Sequence, residues 1–314
     1  MNTGYLFDEI FLQHQPGEDH PESPQRLLAI DQALRAMPFF PELIRLPVRQ
    51  ATFKELNLIH HQKYVELAER ECAAGRSSLS TGDSDICPES FQVALNAAGS
   101  VLAAVDAVFA GTIGRAFCAV RPPGHHAGPE RGMGFCLFNN VALAARYAQK
   151  KHGVKRVLIA DWDVHHGNGT QDVFYRDGSV LYFSTHLFPH YPGTGAATEC
   201  GLGAAKGLII NRPFPHGAGN REIVGAFRDT LLPAARAFKP DFTLISAGFD
   251  SRKNDPLGGF RVDDDGFREL TRIMLNIAAI SGKGRLVSVL EGGYDLAGLA
   301  AAVCAHLDEL QHGD

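Results

Sequence analysis

Six short runs of β-branched and aliphatic residues recur along the chain, at 116–120, 157–162, 180–185, 207–211, 243–247 and 286–290. Each is continuous rather than alternating, which suits a strand covered on both faces. Between them lie stretches with helical spacing at 91–109, 141–151, 221–238 and 264–281, and Asn139-Asn140 ahead of the second suits a helix cap. Strand–helix alternation of this kind predicts an α/β fold with a mostly parallel sheet and helices on both faces. In such a sheet, a site forms outside the carboxyl ends of the strands. The segments richest in His, Asp, Gly and Tyr fall there, at five strand ends from distant parts of the chain.

No repeat, low-complexity stretch or Pro/Ser linker divides the 314 residues, so one domain over 1–314 is expected. Lys and Arg number 30 against 35 Asp and Glu, a net charge of −5. That balance lacks the basic footprint of a nucleic-acid binder. No apolar run is expected to reach the ~18 residues of a membrane span. Acids in the first nine residues argue against a secretory leader, so a cytoplasmic location is expected. The six cysteines include no Cys-x-x-Cys pair, so a thiolate zinc finger is unsupported and they read as reduced.

The 14 histidines cluster, most densely in Asp161-Trp162-Asp163-Val164-His165-His166-Gly167-Asn168-Gly169-Thr170. Residues two apart on a strand share a side. Asp161, Asp163 and His165 would therefore point together, with Trp162 and Val164 turned into packing. A lone Asp or His there would be ordinary strand-end polarity. A carboxylate and an imidazole sharing one side are natural metal ligands, and two glycines allow a tight turn beside them. A catalytic zinc usually takes three protein ligands, and Asp250, closing the run 245–250, is the best candidate for the third; a turn or cap aspartate is the ordinary alternative.

In Arg121-Pro122-Pro123-Gly124-His125-His126-Ala127 a rigid turn presents two adjacent histidines, a placement suited to a general base. Asp161 and Asn168 are the available partners for their second ring nitrogens. Glu291-Gly292-Gly293-Tyr294-Asp295 exposes a tyrosine whose hydroxyl suits an oxyanion donor. Gly193-x-Gly195 and Gly201-x-Gly203 lack nucleotide-loop spacing, and no Gly-x-Ser-x-Gly elbow is present.

These motifs resemble those of the zinc-dependent histone deacetylase and acetylpolyamine amidohydrolase superfamily, nearest to its class II members and their bacterial relatives. The likeness also draws on His20-Pro21-Glu22-Ser23-Pro24-Gln25-Arg26, Gly134-Phe135-Cys136, Pro192-Gly193-Thr194-Gly195 and Asp255-Pro256-Leu257-Gly258, in order along nearly the whole chain. It implies an arginase-like three-layer fold around about eight parallel strands. It implies Zn²⁺, with Fe²⁺ as a cellular alternative, on Asp163, His165 and Asp250. His125 and His126 would be the tandem active-site histidines, the first paired with Asp161. The second meets Asn168 where class I members carry an aspartate.

Tyr294 matches the catalytic tyrosine. A K⁺ site would use the side chains of Asp161 and Ser184 with carbonyls of Asp163, His165 and Thr185. Gly134, Phe135 and Tyr191 match the acyl-lysine channel, and Leu257 a rim position that can be glutamate in polyamine-specific members. Asp83 matches a rim acid gripping the substrate backbone. The implied substrate is an N-acetylated lysine side chain or, alternatively, an acetylated polyamine, with no nucleic-acid or membrane partner.

Overall fold

The computed structural model describes residues 2–313. Its strands are β1 (Thr3–Leu6), β2 (Ile44–Arg45), β3 (Arg115–Cys118), β4 (Val157–Asp161), β5 (Val180–Leu187), β6 (Ile209–Phe214), β7 (Phe242–Ala247) and β8 (Leu286–Leu290). The helices are α1 (Gln25–Arg35), α2 (Phe53–Leu56), α3 (Gln62–Ala73), α4 (Ser90–Ala110), α5 (Asn140–His152), α6 (Asn168–Phe174), α7 (Asn220–Ala226), α8 (Leu232–Phe238), α9 (Asp264–Ser281) and α10 (Leu296–His312). All eight strands join one sheet in the order β2-β1-β3-β8-β7-β4-β5-β6. Every neighbouring pair is parallel.

The six anticipated strands are β3 to β8, with ends shifted by a few residues. Every residue of β3, β4, β5, β7 and β8 is buried, as their continuous apolar runs require. β1, with only four residues and a glycine among them, and β2, with two, carried no such run. α4 packs on β1, β3 and β8 and against α5, while α9 and α10 pack together, with α10 also on β3 and α1. Asn139 caps α5 as expected, accepting from Ala142 N at 3.0 Å.

Two expectations need correction. The stretch 221–238 is not one helix: α7 passes into a π-turn at Phe227–Leu231 before α8. Pro233 has no N–H for the α-helical ladder, and the backbone widens just ahead of it. In addition, α4 is long and apolar enough, by length and composition, to cross a membrane. Asn96, Ser100 and Asp106 interrupt its apolar run without making the helix polar on average. In the fold, 72% of that apolar window is buried.

Between β8 and α10 the His306 imidazole is enclosed, meeting Thr271 Oγ1 at 2.7 Å and Ser288 Oγ at 2.9 Å. Burial pushes its pKa down to about 3. The unfolded chain takes up a proton here below the ordinary value near 6.5, whereas the folded chain stays neutral until near pH 3. This contribution to stability is therefore complete above pH 6.5 and is lost as pH falls through that range. His306→Gln should remove it. Between pH 7 and 5, urea unfolding of the parent should lose about 2 kcal/mol more than unfolding of the variant. Equal losses would show that His306 does not titrate in this way.

Candidate metal centre and active-site pocket

Five strands, β3, β8, β7, β4 and β5, deliver the chemistry-bearing residues to one end of the sheet. β4 ends at Asp161, and Asp163 and His165 lie in the turn beyond it rather than on the strand itself. The backbone bends at 163–165, and neighbours still pin it, Trp162 N donating to Ser246 O and Val164 O accepting from Leu187 N. Trp162 and Val164 are fully buried, as the alternation predicted.

His165 Nδ1 lies 3.0 Å from Asp163 Oδ1 and 3.1 Å from Asp250 Oδ2. The three donor atoms fall within 4.8 Å of one another. Backbone amides aim the carboxylates: Gly292 N–H donates to Asp163 Oδ2 at 2.9 Å and Val164 N–H to Asp250 Oδ1 at 2.8 Å. A Cβ at Gly248 or Gly292 would collide with the Asp163 and Asp250 carboxylates, so only glycine fits. Burial and the nearby Asp163 charge push the Asp250 pKa up to about 7. Burial also opposes charge on Asp163, but the His125 and His165 imidazoles outweigh it and hold that carboxyl below the usual range. Two carboxylates and one imidazole fit a divalent cation.

His125 Nδ1 lies 3.0 Å from Asp161 Oδ2, which also accepts from the Tyr182 hydroxyl at 3.1 Å. Burial lowers the His125 pKa, yet Asp163 and Asp161 together raise it to about 10. The adjacent His126 has a different partner, Asn168 Oδ1 at 2.8 Å. Since that oxygen accepts, Nδ1 donates and Nε2 is left as the acceptor. Burial and the nearby His125 and His165 push the His126 pKa well down.

Asp83, His125, His126, Gly134, Phe135, His165, Tyr191, Leu257 and Tyr294 all line one cavity of about 410 Å³. The Phe135 and Tyr294 rings meet edge-on with centroids 6.2 Å apart. Asp161 and Ser184 pair across β4 and β5, where the Ser184 hydroxyl meets His186 Nδ1 at 2.8 Å. The Thr185 hydroxyl is buried with no hydrogen-bond partner. Asp83 reaches the rim but is engaged within the protein, accepting from Gly134 N at 2.7 Å and the Tyr191 hydroxyl at 3.2 Å on the same oxygen.

Several supporting residues went unassigned in the sequence. Arg26 donates to Gly293 O and Glu291 O, both at 2.6 Å, and its guanidinium lies 5.0 Å from the Tyr294 ring centroid. Glu22 holds Arg26 and Arg121 together in full burial. Burial opposes its charge, but Arg121 and His14 keep its carboxyl well below the usual range. Asp255 accepts from the backbone N–H of Tyr294 at 2.7 Å and of Asp295 at 3.2 Å. Glu291 accepts from Gly124 N and His125 N, fixing the turn that carries the two histidines. His190 stacks on His165 with centroids 5.3 Å apart. The motif text held Glu22, Arg26 and Asp255; Glu22 and Arg26 are only four apart, but their other partners, and the Tyr294 and Asp295 amides that Asp255 accepts from, are dozens to hundreds of residues away, which no local spacing signals.

The chain is similar to known proteins along nearly its whole length. The histone deacetylase domain family matches residues 20–310. Histone deacetylase 15 of Arabidopsis thaliana is 40% identical over 313 residues, covering 97% of this chain and 56% of that protein. A probable deacetylase of Archaeoglobus fulgidus is 38% identical over 300 residues, covering 95% and 83%. Polyamine deacetylase HDAC10 of Homo sapiens is 41% identical over 325 residues, covering 99% and 48%. The chain thus spans only about half the length of some relatives it matches. A solved structure, the HDA15 HD domain, superposes with a TM-score of 0.94 at 39% identity, covering 99% of this chain and 88% of that one.

If the triad holds a cation, Zn²⁺ at 1,000 times its Kd should stabilise the fold by about 4 kcal/mol, read as a rise in the unfolding midpoint. Asp250→Ala should lose both that rise and stoichiometric metal by elemental analysis. One full equivalent of zinc retained by the variant would remove Asp250 from the ligand set.

Proposed function

The chain belongs to the histone deacetylase family, and from that premise we propose that it is a zinc-dependent deacylase cleaving the amide of N-acetylated lysine side chains to acetate and free amine. The observation that carries the reading is the convergence of Asp163, His165 and Asp250 on one another, with His165 lining a cavity that His125, His126, His190 and three aromatic side chains also line. Asp163, His165 and Asp250 would hold Zn²⁺, and the same donors accept Fe²⁺. When bound, the ion supplies Lewis-acid polarisation of a carbonyl and makes water more acidic.

The chain's own side chains do the rest. Phe135 and Tyr191 flank the aliphatic stem of the acylated amine. His126, held by a neutral amide, keeps Nε2 free to accept a proton from the attacking water and to return one to the departing amine. His125, tied to Asp161, is the more basic ring and adds positive charge beside the reacting carbonyl. The Tyr294 hydroxyl donates to the developing oxyanion, its backbone fixed by Asp255 and its ring set beside Arg26. K⁺ would sit at Asp161 and Ser184 with carbonyls of Asp163, His165 and Thr185. Asp161 is wholly buried, and burial pushes its pKa up, so a nearby cation would stabilise its charge.

A second reading, hydrolysis of acetylated polyamines, is favoured by the 41% identity to a polyamine deacetylase. Against it stands Leu257, an apolar side chain on the cavity wall with no charge to offer a second amine. Acetate release from an acetyl-lysine peptide and from a monoacetylated polyamine, compared as kcat/KM, separates the two. Higher kcat/KM on the polyamine would select the second reading. Tyr294→Phe should lower kcat by roughly 10²–10³ while leaving the melting temperature near that of the parent. Unchanged kcat would overturn the role given to Tyr294.

A further inference from the structure

We propose that the Asp83 carboxylate and the Tyr191 hydroxyl form a latch across the mouth of the cavity, setting the separation of its two aromatic walls. The deacylase reading enters only in what passes between the walls; the latch itself joins two loops. Phe135 lies on the loop between β3 and α5, Tyr191 on the loop between β5 and β6.

The segment 78–86 is fastened to the first of these loops. Its ends pair at Ser78 and Asp85. Thr81 Oγ1 donates to Gly132 O at 3.3 Å and accepts from Gly132 N at 3.2 Å. Ser84 Oγ donates to Cys136 O at 3.0 Å, and Asp83 Oδ1 accepts from Gly134 N at 2.7 Å. Asp83 therefore moves with the Phe135 wall.

The Tyr191 loop is secured elsewhere, through Thr194 Oγ1 on His166 Nδ1 at 2.8 Å and Gly195 N on Glu199 Oε1 at 3.0 Å. The Tyr191 hydroxyl then crosses to Asp83 Oδ1 at 3.2 Å. Gly134 makes room for this approach. A Cβ there would sit 3.0 Å from the Tyr191 hydroxyl and collide with the His126 ring. Gly134 and Phe135 both adopt positive φ, 56° and 67°, so this turn is held in a backbone conformation that Phe135 would not choose alone.

One oxygen of Asp83 thus serves both walls. That makes Asp83 a positioning residue, where the motif implied an acid gripping the substrate backbone. A phenylalanine at 191 would supply the same ring face without the tie. The consequence is a matter of contact distance. A flat methylene stem gains dispersion from both rings only at van der Waals separation, and a gap of 0.5–1 Å forfeits about a quarter to a half of it.

The test uses the metal-loaded protein and the variants Asp83→Ala, Asp83→Asn, Tyr191→Phe and the Ala/Phe double. Hydrogen–deuterium exchange reads the latch without any turnover. Exchange over 188–195 should quicken equally in Asp83→Ala and Tyr191→Phe, and no further in the double. The Gly134 amide should stay protected in Asp83→Asn, which keeps an acceptor oxygen, and lose protection in Asp83→Ala. Parent-like exchange in Tyr191→Phe, or additive quickening in the double, overturns the latch.

In kinetics, Tyr191→Phe should raise KM roughly threefold to tenfold with kcat within about twofold, as expected when ground-state and transition-state binding weaken together. This should hold for an acetyl-lysine peptide and for a monoacetylated diamine lacking a peptide backbone. A loss in Asp83→Ala confined to the peptide would assign Asp83 to the substrate backbone and overturn the latch. A parent protein that turns over neither substrate would instead sink the deacylase reading, while exchange would still decide the latch.

Discussion

Four carboxylates lie almost without solvent at the ends of three adjacent strands. Asp161, Asp163, Asp250 and Glu291 are each at most 1% exposed. Burying even one isolated charge costs several kcal/mol, so the surrounding loops are arranged to answer them. Asp163 N serves Asp161, His165 N and Gly292 N serve Asp163, Val164 N serves Asp250, and Gly124 N and His125 N serve Glu291. Each carboxylate is thereby locked in orientation by amides from its own turn or a neighbour's. Glycines at 167, 248 and 292 lie where a Cβ would strike one of these oxygens. What remains is rigid and electron-rich, with histidines as its nearest cationic groups.

That arrangement also explains why two adjacent histidines with similar burial differ. The His125 ring is set against carboxylates on both sides, Asp161 at 3.0 Å and Asp163 at 3.8 Å. The His126 ring has an amide partner and two imidazole neighbours, whose effect with burial outweighs that of Asp163. One is biased toward carrying a proton and the other toward lacking it. Pairs of titratable groups pushed apart by their surroundings divide acid and base roles.

Much of this could be read from the residues. Continuous apolar runs located six of the eight strands, because a strand covered on both faces needs no alternation. The spacing of Asp161, Asp163 and His165 anticipated the shared direction, although the last two lie beyond the strand. Both histidine partners, Asp161 and Asn168, were correctly anticipated. The buried Glu22–Arg26–Arg121 cluster was not, since Arg121 meets Glu22 across 99 positions of sequence and Arg26 reaches 267 positions to Gly293. α4 was placed correctly but its overall apolarity was missed, and the 221–238 helix was misjudged, each for a local reason. Scattered polar residues concealed the overall apolarity of one, and a proline altered the ladder of the other. The bonds from Asp83 Oδ1 to Gly134 N and the Tyr191 hydroxyl had no local signal in the sequence.

The strand order has one further effect. β8 stands between β3 and β7, yet among the described strands it comes last in sequence. A ribosome making this polypeptide releases every other strand before the piece that unites them. Until residue 290 emerges, β2-β1-β3 and β7-β4-β5-β6 are separate fragments, each with a raw edge where β8 belongs. Such edges invite pairing with foreign strands. Chains in which β8 has not yet paired are therefore the ones most open to such mispairing.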